Sequence, residues 1–344
     1  MPARALDPAL LSAAAWPRLV ERVVAPAFHF VELPDLGEGD GFAAPFTLLP
    51  GALDEPLVWV RGAGGPGLLS NACTHRGHLV VTAAGPCKAL RCGYHGRRFE
   101  LDGRLKASPG FGPLLGHDLP APPRFSLGPM SFVSVDRAAQ PPAGLLSRLR
   151  GLPLERAKPD GGRDFVVKAH FLLWLENFLE GFHIPFVHPG LATALDLGAY
   201  RTDLLPWGSV QIGIGEAGAP EVPLPVDHPD RRPGEGPIVG YYLHLFPFVA
   251  LNVYPWGVSL NAVVPVSPVE TIIRYRFYTW EPALKGQGAG GDLFTVEAED
   301  DAVVERTAQG LRSRLYRPGL LSAEEPGVAH LHALLGAAIG DAGL

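Results

Sequence analysis

The chain has 344 residues, 47% of them hydrophobic and 19% charged, with a formal net charge of -6. That composition excludes a disordered or fibrous protein, and the lack of a basic excess argues against a nucleic-acid partner, whose phosphates would need neutralising. The length suits two domains, or one large domain with a smaller one attached.

Residues 1–45 begin with a short helical spacing (Leu10, Leu11, Ala14, Ala15, Leu19, Val20, Val23). Extended sequence broken by prolines follows (HFVELPDL), and together these read as an arm packed on the body. Residues 46–135 carry short apolar runs, LVWV at 57–60, LVVT at 79–82 and MSFVSV at 130–135, separated by Gly and Pro turns, which predicts a small all-β domain. Residues 136–163 are rich in Pro, Gly and Arg and read as a connection. The second domain, 164–344, opens with a helix carrying Leu172, Leu173, Leu175, Phe178, Leu179 and Phe182 on neighbouring turns and ended by Pro185. Strand-like runs over 207–280 predict one curved antiparallel sheet, followed by a Gly-rich loop at 285–291, helical spacing over 293–315 and a last helix over 328–339. The fold class is α+β, with two unlike domains and no internal repeat.

Only three cysteines occur, Cys73, Cys87 and Cys92, so no disulfide framework is built and a reducing, cytoplasmic setting is expected. The N-terminal residues lack the basic start and sustained apolar run of a secretory signal. The most apolar stretch, 247–266, is interrupted by Asn252, Pro255, Gly257 and Asn261, so it reads as a buried hairpin and no membrane association is expected.

Two motifs carry chemistry. In CTHRGHLVVTAAGPCKALRCGYHG, Cys73 and His75 form a CxH pair and Cys92 and His95 a CxxH pair. Two such pairs on two loops suit a [2Fe-2S] centre in which two thiolates hold one iron and two imidazoles the other. The alternative, a structural zinc, more often takes two like residues from each loop; here each loop mixes Cys and His, and Gly77, Gly93 and Gly96 allow tight turns around a bulkier group. Cys87 falls outside the pattern and reads as a structural thiol.

The second motif, ENFLEGFHIPFVH, offers Glu176, Asn177, Glu180, His183 and His188. On a helix Glu180 and His183 would share a face, and Pro185 would turn the chain so that His188 returns to the same point. Two histidines and a carboxylate hold Fe(II) on one side and leave the other open to O2 and substrate. The acidic run VEAEDDAVVERTAQGL supplies Glu297, Glu299, Asp300, Asp301 and Glu305 as candidates for that carboxylate.

CTHRGHL followed by CGYHGRRFELDGRL resembles both ligand loops of the Rieske family with no ligand missing, and ENFLEGFHIPFVH with EDDAVVERTAQGL resembles the iron-binding region of Rieske non-haem iron oxygenases. The resemblance implies an N-terminal Rieske [2Fe-2S] domain and a C-terminal helix-grip (START-like) catalytic domain holding mononuclear Fe(II). It makes Asp300 the third iron ligand with Asp301 in reserve. It also implies a homotrimer in which Glu180 bridges a histidine of one subunit's cluster to an iron histidine of the next. Many ring-hydroxylating members carry Asp at that bridge; glutamate there is more similar to the branch acting on choline, betaine or carnitine. The expected protein is an oxygenase component that takes electrons from a separate NAD(P)H-dependent reductase and hydroxylates or N-demethylates a small organic substrate. A ring-hydroxylating dioxygenase, a non-catalytic electron-transfer or ligand-binding protein and a zinc-stabilised module remain the competing readings. Among the aromatics of the sheet, Trp207, Tyr241, Tyr242, Phe246, Tyr254 and Trp256 are candidates for a cage around a cationic substrate. The unpaired histidines His29, His117, His170, His228, His244, His330 and His332 read as structural or surface residues.

Overall fold

The computed structural model describes residues 3–39, 41–112 and 116–340. Its N-terminal part begins with a short helix α1 (Trp16–Leu19) that continues as a wider turn to Val24, then strand β1 (His29–Val31). Strands β2 (Phe42–Leu48), β3 (Glu55–Gly62), β4 (Gly65–Ser70) and β5 (Gly85–Pro86) form one sheet in the order β4-β3-β2-β5. A second small sheet is made of β6 (Leu90–Arg91), β7 (Arg98–Phe99) and β8 (Leu105–Ala107), and β9 (Arg124–Leu127) and β10 (Met130–Val133) pair beside β1. The run LVWV is apolar at every position because β3 is covered on both faces. Leu57 and Trp59 enter the large core shared with the C-terminal part, while Val58 and Val60 enter a small core with Cys73 and Cys92.

Two expectations change here. LVVT at 79–82 makes no strand; only an isolated bridge joins Ala72 to Leu79. The Asn71 side chain occupies the place of a strand partner, donating to Val81 O at 2.8 Å and accepting from Val81 N at 2.8 Å. The arm is also less separate than its prolines imply, since β1 pairs antiparallel with β10 and β2 starts at Phe42, inside residues 1–45.

The C-terminal part is built on seven antiparallel strands in the order β11-β17-β16-β15-β14-β13-β12: β11 (Lys158–Val167), β12 (Arg201–Leu205), β13 (Gly208–Ile214), β14 (Ile238–Leu245), β15 (Val249–Tyr254), β16 (Gly257–Ser267) and β17 (Glu270–Thr279). The apolar stretch at 247–266 is the β15–β16 hairpin. Strand β11 begins inside the segment 136–163 that composition marks as a connection. Its Pro159 and Gly162 sit at a bulge on the sheet's edge, where a missing ladder hydrogen bond is tolerated, and Asp160 is anchored by Thr279 Oγ1 at 2.7 Å and Lys285 Nζ at 2.6 Å. Helix α2 (Leu145–Arg148) lies earlier in that segment.

Alternation along the strands sorts the two faces. Val249, Leu251 and Val253 pack against the β1-β10-β9 side and α2, whereas Ala250, Asn252 and Tyr254 point the other way, toward the helices. Those are α3 (Phe171–Phe178), the short α4 (Ile184–Val187) and α5 (Pro189–Ala192), α6 (Leu293–Gly310) and α7 (Pro326–Ile339). The helix expected from Phe165 to Pro185 is shorter: residues up to Val167 belong to β11, His170 caps α3 by accepting from Leu172 N at 3.2 Å, and α3 ends at Phe178. Pro185 occupies the first turn of α4, where its missing N–H goes unused, so it starts a helix and does not end one. Among the described residues no helix is long and apolar enough to cross a membrane.

Candidate metal centres and the cavity between helices and sheet

The two cysteine-histidine loops are one turn used twice. Cys73 N donates to His78 O and Gly77 N to Cys73 O, both at 2.9 Å; in the second loop Cys92 N donates to Arg97 O at 2.9 Å and Gly96 N to Cys92 O at 3.1 Å. Gly77 and Gly96 hold the same place four residues after each cysteine with φ of 71° and 74°, a left-handed conformation that side chains disfavour. Cys73 and Cys92 are buried in the small core, while the rings of His75 and His95 lie at the tip with centroids 4.6 Å apart. Arg97, itself buried, joins the loops by donating to Thr74 Oγ1 at 3.1 Å and Ser108 Oγ at 3.0 Å. His75 Nδ1 is buried with no hydrogen-bond partner, a nitrogen held ready for a ligand bond. Desolvation, then the charges of His95 and Arg97, lower the His75 pKa and favour the neutral ring that binds metal.

The described residues contain one group of three His, Cys, Asp or Glu side chains whose ligand atoms all lie within 4.8 Å of one another: His183, His188 and Asp300. Cys73, His75, Cys92 and His95 sit on the two loops as one Cys and one His from each, the mixed pairing that suits a [2Fe-2S] centre.

At the convergent group, Asp300 Oδ1 lies 2.9 Å from His188 Nε2 and 3.4 Å from His183 Nε2. The opposite ring nitrogens are both held by carboxylates: His183 Nδ1 by Glu180 at 2.5 Å and His188 Nδ1 by Glu299 at 2.7 Å. Such bonds fix each ring's tautomer and leave Nε2 for a metal. Glu180 and His183 are not on a helix. Glu180 follows the end of α3, and its second oxygen accepts from His183 N at 3.0 Å, so a capped turn provides the contact expected of one helix face. Asn177 on α3 donates to Asp300 Oδ1 at 2.6 Å, fastening α6 to α3 at the site. Burial alone would lower the pKa of His183, but hydrogen bonds and charge from Asp300 and Glu180 outweigh it and lift the value to about 9. Burial likewise opposes the hydrogen bonds from the two histidines that hold Asp300 below its ordinary value, and those bonds win. Asp301 differs: burial, with the charges of Asp300 and Glu305 adding to it, outweighs a side-chain hydrogen bond with Glu297 and raises it to about 6, and its Oδ1 has no partner.

Beside the triad lies a cavity of about 90 Å³. Helix α3 contributes Trp174, Asn177 and Phe178, and α6 contributes Leu293, Val296, Glu297 and Asp300, each set spaced as one helix face. The floor is a polar row on inward positions of the sheet, where register aligns Gln211 with Tyr242, Tyr242 with Asn252, and Asn261 with Tyr275. Of the six aromatics put forward as a cage, only Tyr242 and Tyr254 line the cavity. Trp207, Phe246 and Trp256 lie elsewhere, and Tyr241 points to the opposite face, where its hydroxyl meets Asp230 at 2.5 Å. Sequence reading missed Trp174, Phe178, Tyr200 and Tyr275 in the wall. The parity of β17 and the spacing of α3 carry that signal once the face bearing Asp300 is known. It also missed the pairing of His188 with Glu299. His332, read as structural or surface, is structural: it is buried and bonds Glu176 at 2.7 Å, tying α7 to α3.

Residues 154–341 match the ring hydroxylating alpha subunit (catalytic domain) family and residues 48–122 the Rieske [2Fe-2S] domain, so the chain belongs to the Rieske ring-hydroxylating oxygenase alpha-subunit family. It is thus an oxidoreductase, the oxygenase component of a system using O2 and a separate reductase, and its cofactors are a Rieske cluster and a mononuclear iron. It is 24% identical over 347 residues to choline monooxygenase of Spinacia oleracea, covering 90% of this chain and 75% of that one. With the carnitine monooxygenase oxygenase subunit of Escherichia coli K12 the identity is 26% over 313 residues, covering 82% of this chain and 80% of that one. In fold it is similar to the quaternary ammonium Rieske monooxygenase CntA in complex with L-carnitine, with a TM-score of 0.73 at 19% identity, covering 98% of this chain and 96% of that one. Naphthalene 1,2-dioxygenase shares the fold with a TM-score of 0.68 at 15% identity, over 99% and 93% of the two chains.

Proposed function

We propose that the protein inserts one oxygen atom next to the nitrogen of a small methylated or quaternary amine. Cys73, His75, Cys92 and His95 would hold the cluster, and His183, His188 and Asp300 the iron. When bound, the cluster supplies single electrons and the iron the power to activate O2 toward a C–H bond. The protein's own contribution is position. Glu180 and Glu299 keep both imidazoles in the ligand tautomer, Asn177 orients the carboxylate, and the cavity wall sets which bond lies near the metal.

The observation carrying the substrate class is the wall itself: Trp174, Phe178, Tyr200, Tyr242, Tyr254 and Tyr275 surround the space beside the triad, and no Lys or Arg of the described residues lines it. Aromatic faces attract a quaternary ammonium. A volume of about 90 Å³ is far below the ~300–1,000 Å³ of pockets for drug-sized ligands, which favours a small head group over a fused ring. The named substrates of the choline and carnitine relatives agree. In such a reaction one oxygen of O2 enters the substrate and the other leaves as water, using two electrons and two protons; hydroxylation on an N-methyl group then releases the amine and formaldehyde.

The reading includes a cytoplasmic homotrimer, with the histidine tip of one copy meeting Glu180 of the next. Exposed apolar side chains stand at both places, Phe182 and Phe186 near Glu180 and Tyr94 and Phe111 near the cluster loops. The test is a screen of the reduced holoenzyme, coupled to a surrogate reductase, against choline, glycine betaine, carnitine and tertiary methylamines, with naphthalene and benzoate alongside. Amine-dependent O2 consumption with aldehyde formation is the expected result; cis-diols from the arenes and no amine turnover would overturn it.

A further inference from the structure

We infer that Glu297 is the residue that makes the cavity select a cation over a neutral molecule of the same shape. The inference rests on the methylated-amine reading and adds to it the group that recognises the charge.

Glu297 lies one turn before Asp300 on the same face of α6, lines the cavity and is 1% exposed. Each of its oxygens meets a donor: Trp174 Nε1 donates to Oε1 at 3.0 Å and the Tyr275 hydroxyl donates to Oε2. An indole N–H only donates, so Oε1 is an acceptor, and the two bonds together hold the carboxyl group in a fixed position. The other two acids of the wall are committed, Asp300 to His183 and His188 and Glu180 to His183. Glu297 alone among the described wall acids has no basic partner, and no Lys or Arg lines the cavity to supply one.

A carboxyl so placed resists ionisation: burial, with the charges of Asp301 and Asp300 adding to it, raises its pKa well above the ordinary value. A cation in the cavity removes that penalty, and a neutral ligand does not. The donors that fix Glu297 belong to Trp174 and Tyr275, rings of the same wall, so one ammonium can meet the carboxylate and aromatic faces together. A separate observation also shows the cavity prepared for a ligand with a polar end. Asn252 lines it from β15 at 7% exposure, and its Oδ1 is buried without a partner. A satisfied core carboxylate with no ligand role would leave charge discrimination untouched, which separates the two roles by experiment.

The measurement is isothermal titration of the metal-loaded full-length protein with choline and with 3,3-dimethylbutan-1-ol, in which carbon replaces nitrogen at the same shape. The wild type should prefer choline by about tenfold or more. Glu297→Gln should bring the two affinities to within about threefold, mainly by weakening choline, with iron content and visible spectrum unchanged. Glu297→Asp, which keeps the charge, should retain a preference for choline and serves as the test should the Gln variant fail to fold. Full preference in Glu297→Gln, or none in a folded Glu297→Asp, overturns the inference and leaves the methylated-amine reading in place. A wild type that binds the alcohol as tightly as choline overturns both.

Discussion

The two candidate centres are assembled in opposite ways. At the cluster end, Cys73 to His95 is a single stretch of chain, and each loop closes on itself by backbone hydrogen bonds before any distant residue is involved. At the iron end, His188 meets Asp300 across 112 positions of sequence, and the bonds that align them run between side chains: Asn177 to Asp300, Glu299 to His188. Local turns build the first centre; the docking of α6 on α3 builds the second. Damage should therefore separate them cleanly.

The largest expected effects come from removing a ligand on each side. Asp300→Ala should lower iron from about three to about two per chain with two sulfides and the brown colour retained, and abolish O2-dependent turnover. Cys92→Ser should remove the colour, and because Cys92 is buried with Val58, Val60, Leu90 and Phe99 it should also lower the melting temperature. Metal and sulfide analysis with absorption spectroscopy checks both. Three irons in Asp300→Ala would break the distinction. Next in size is Glu299→Ala, which frees one face of His188: the apparent Kd for Fe(II) should rise about 10–100-fold while the cluster spectrum stays as it was.

The same contrast explains what could be read in the sequence. Cys73, His75, Cys92 and His95 were legible because spacing within one segment states the turn, and Gly77 and Gly96 mark its left-handed positions. His183 and His188 were legible for the same reason, although the element leading into them was not: Glu180 caps a turn where helical spacing predicted a helix, since side-chain capping competes with helix hydrogen bonds just there. Asp300 could be picked out of five neighbouring acids only by resemblance, because which acid of α6 faces the histidines depends on how the helix is rotated against α3. The cavity wall was least legible. Tyr241 and Tyr242 are adjacent and similar in composition, yet strand parity sends one to Asp230 and the other into the cavity, and parity needs a register that only the folded sheet supplies. The Pro and Gly of 159–162 misled in the same manner, because a bulged edge strand and a linker have the same composition.

Tertiary assembly also makes the iron end responsive to pH. In the metal-free protein the pKa of His183 is about 9. Below that value a proton must leave before the ring can bind metal, so Fe(II) affinity should rise about tenfold per pH unit from 7 to about 9 and level off above. The linkage to folding has the opposite sign: with the pKa raised from 6.5, the stabilisation is complete below pH 6.5 and is lost as pH rises through about 9. Anaerobic titrations at several pH values read the first effect, and melting of the metal-free protein the second. A flat affinity between pH 7 and 9 would mean that His183 is not paired with carboxylates before metal binds. Acid acts elsewhere, on His29 and His244, which burial holds down to about 4, and on His170, held down to about 3. Unfolded chains take up these protons first, so stability should fall as pH drops below 6.5, by at most about 1.4 kcal/mol per pH unit for each histidine. His244→Phe should flatten part of that slope.

The smallest expected effect is the most discriminating. Asp300 and Asp301 are neighbours on α6, both partly enclosed, and composition offers no choice between them. Their surroundings differ in sign. Asp300 is held below its ordinary pKa by two histidines, as a carboxylate positioned to bind a cation would be, whereas Asp301 is raised to about 6 by burial and by the charges of Asp300 and Glu305, with an oxygen left unpartnered. Asp301→Asn therefore removes a charge that its neighbours oppose. It should leave iron and sulfide content unchanged, keep turnover within about twofold of wild type, and slightly raise the melting temperature at pH 7 or above, an advantage that shrinks as pH falls below about 6 because the wild-type carboxyl is then protonated. Loss of the mononuclear iron in Asp301→Asn but not in Asp300→Asn would reverse the assignment and require α6 to dock on α3 about a quarter-turn away from the arrangement described.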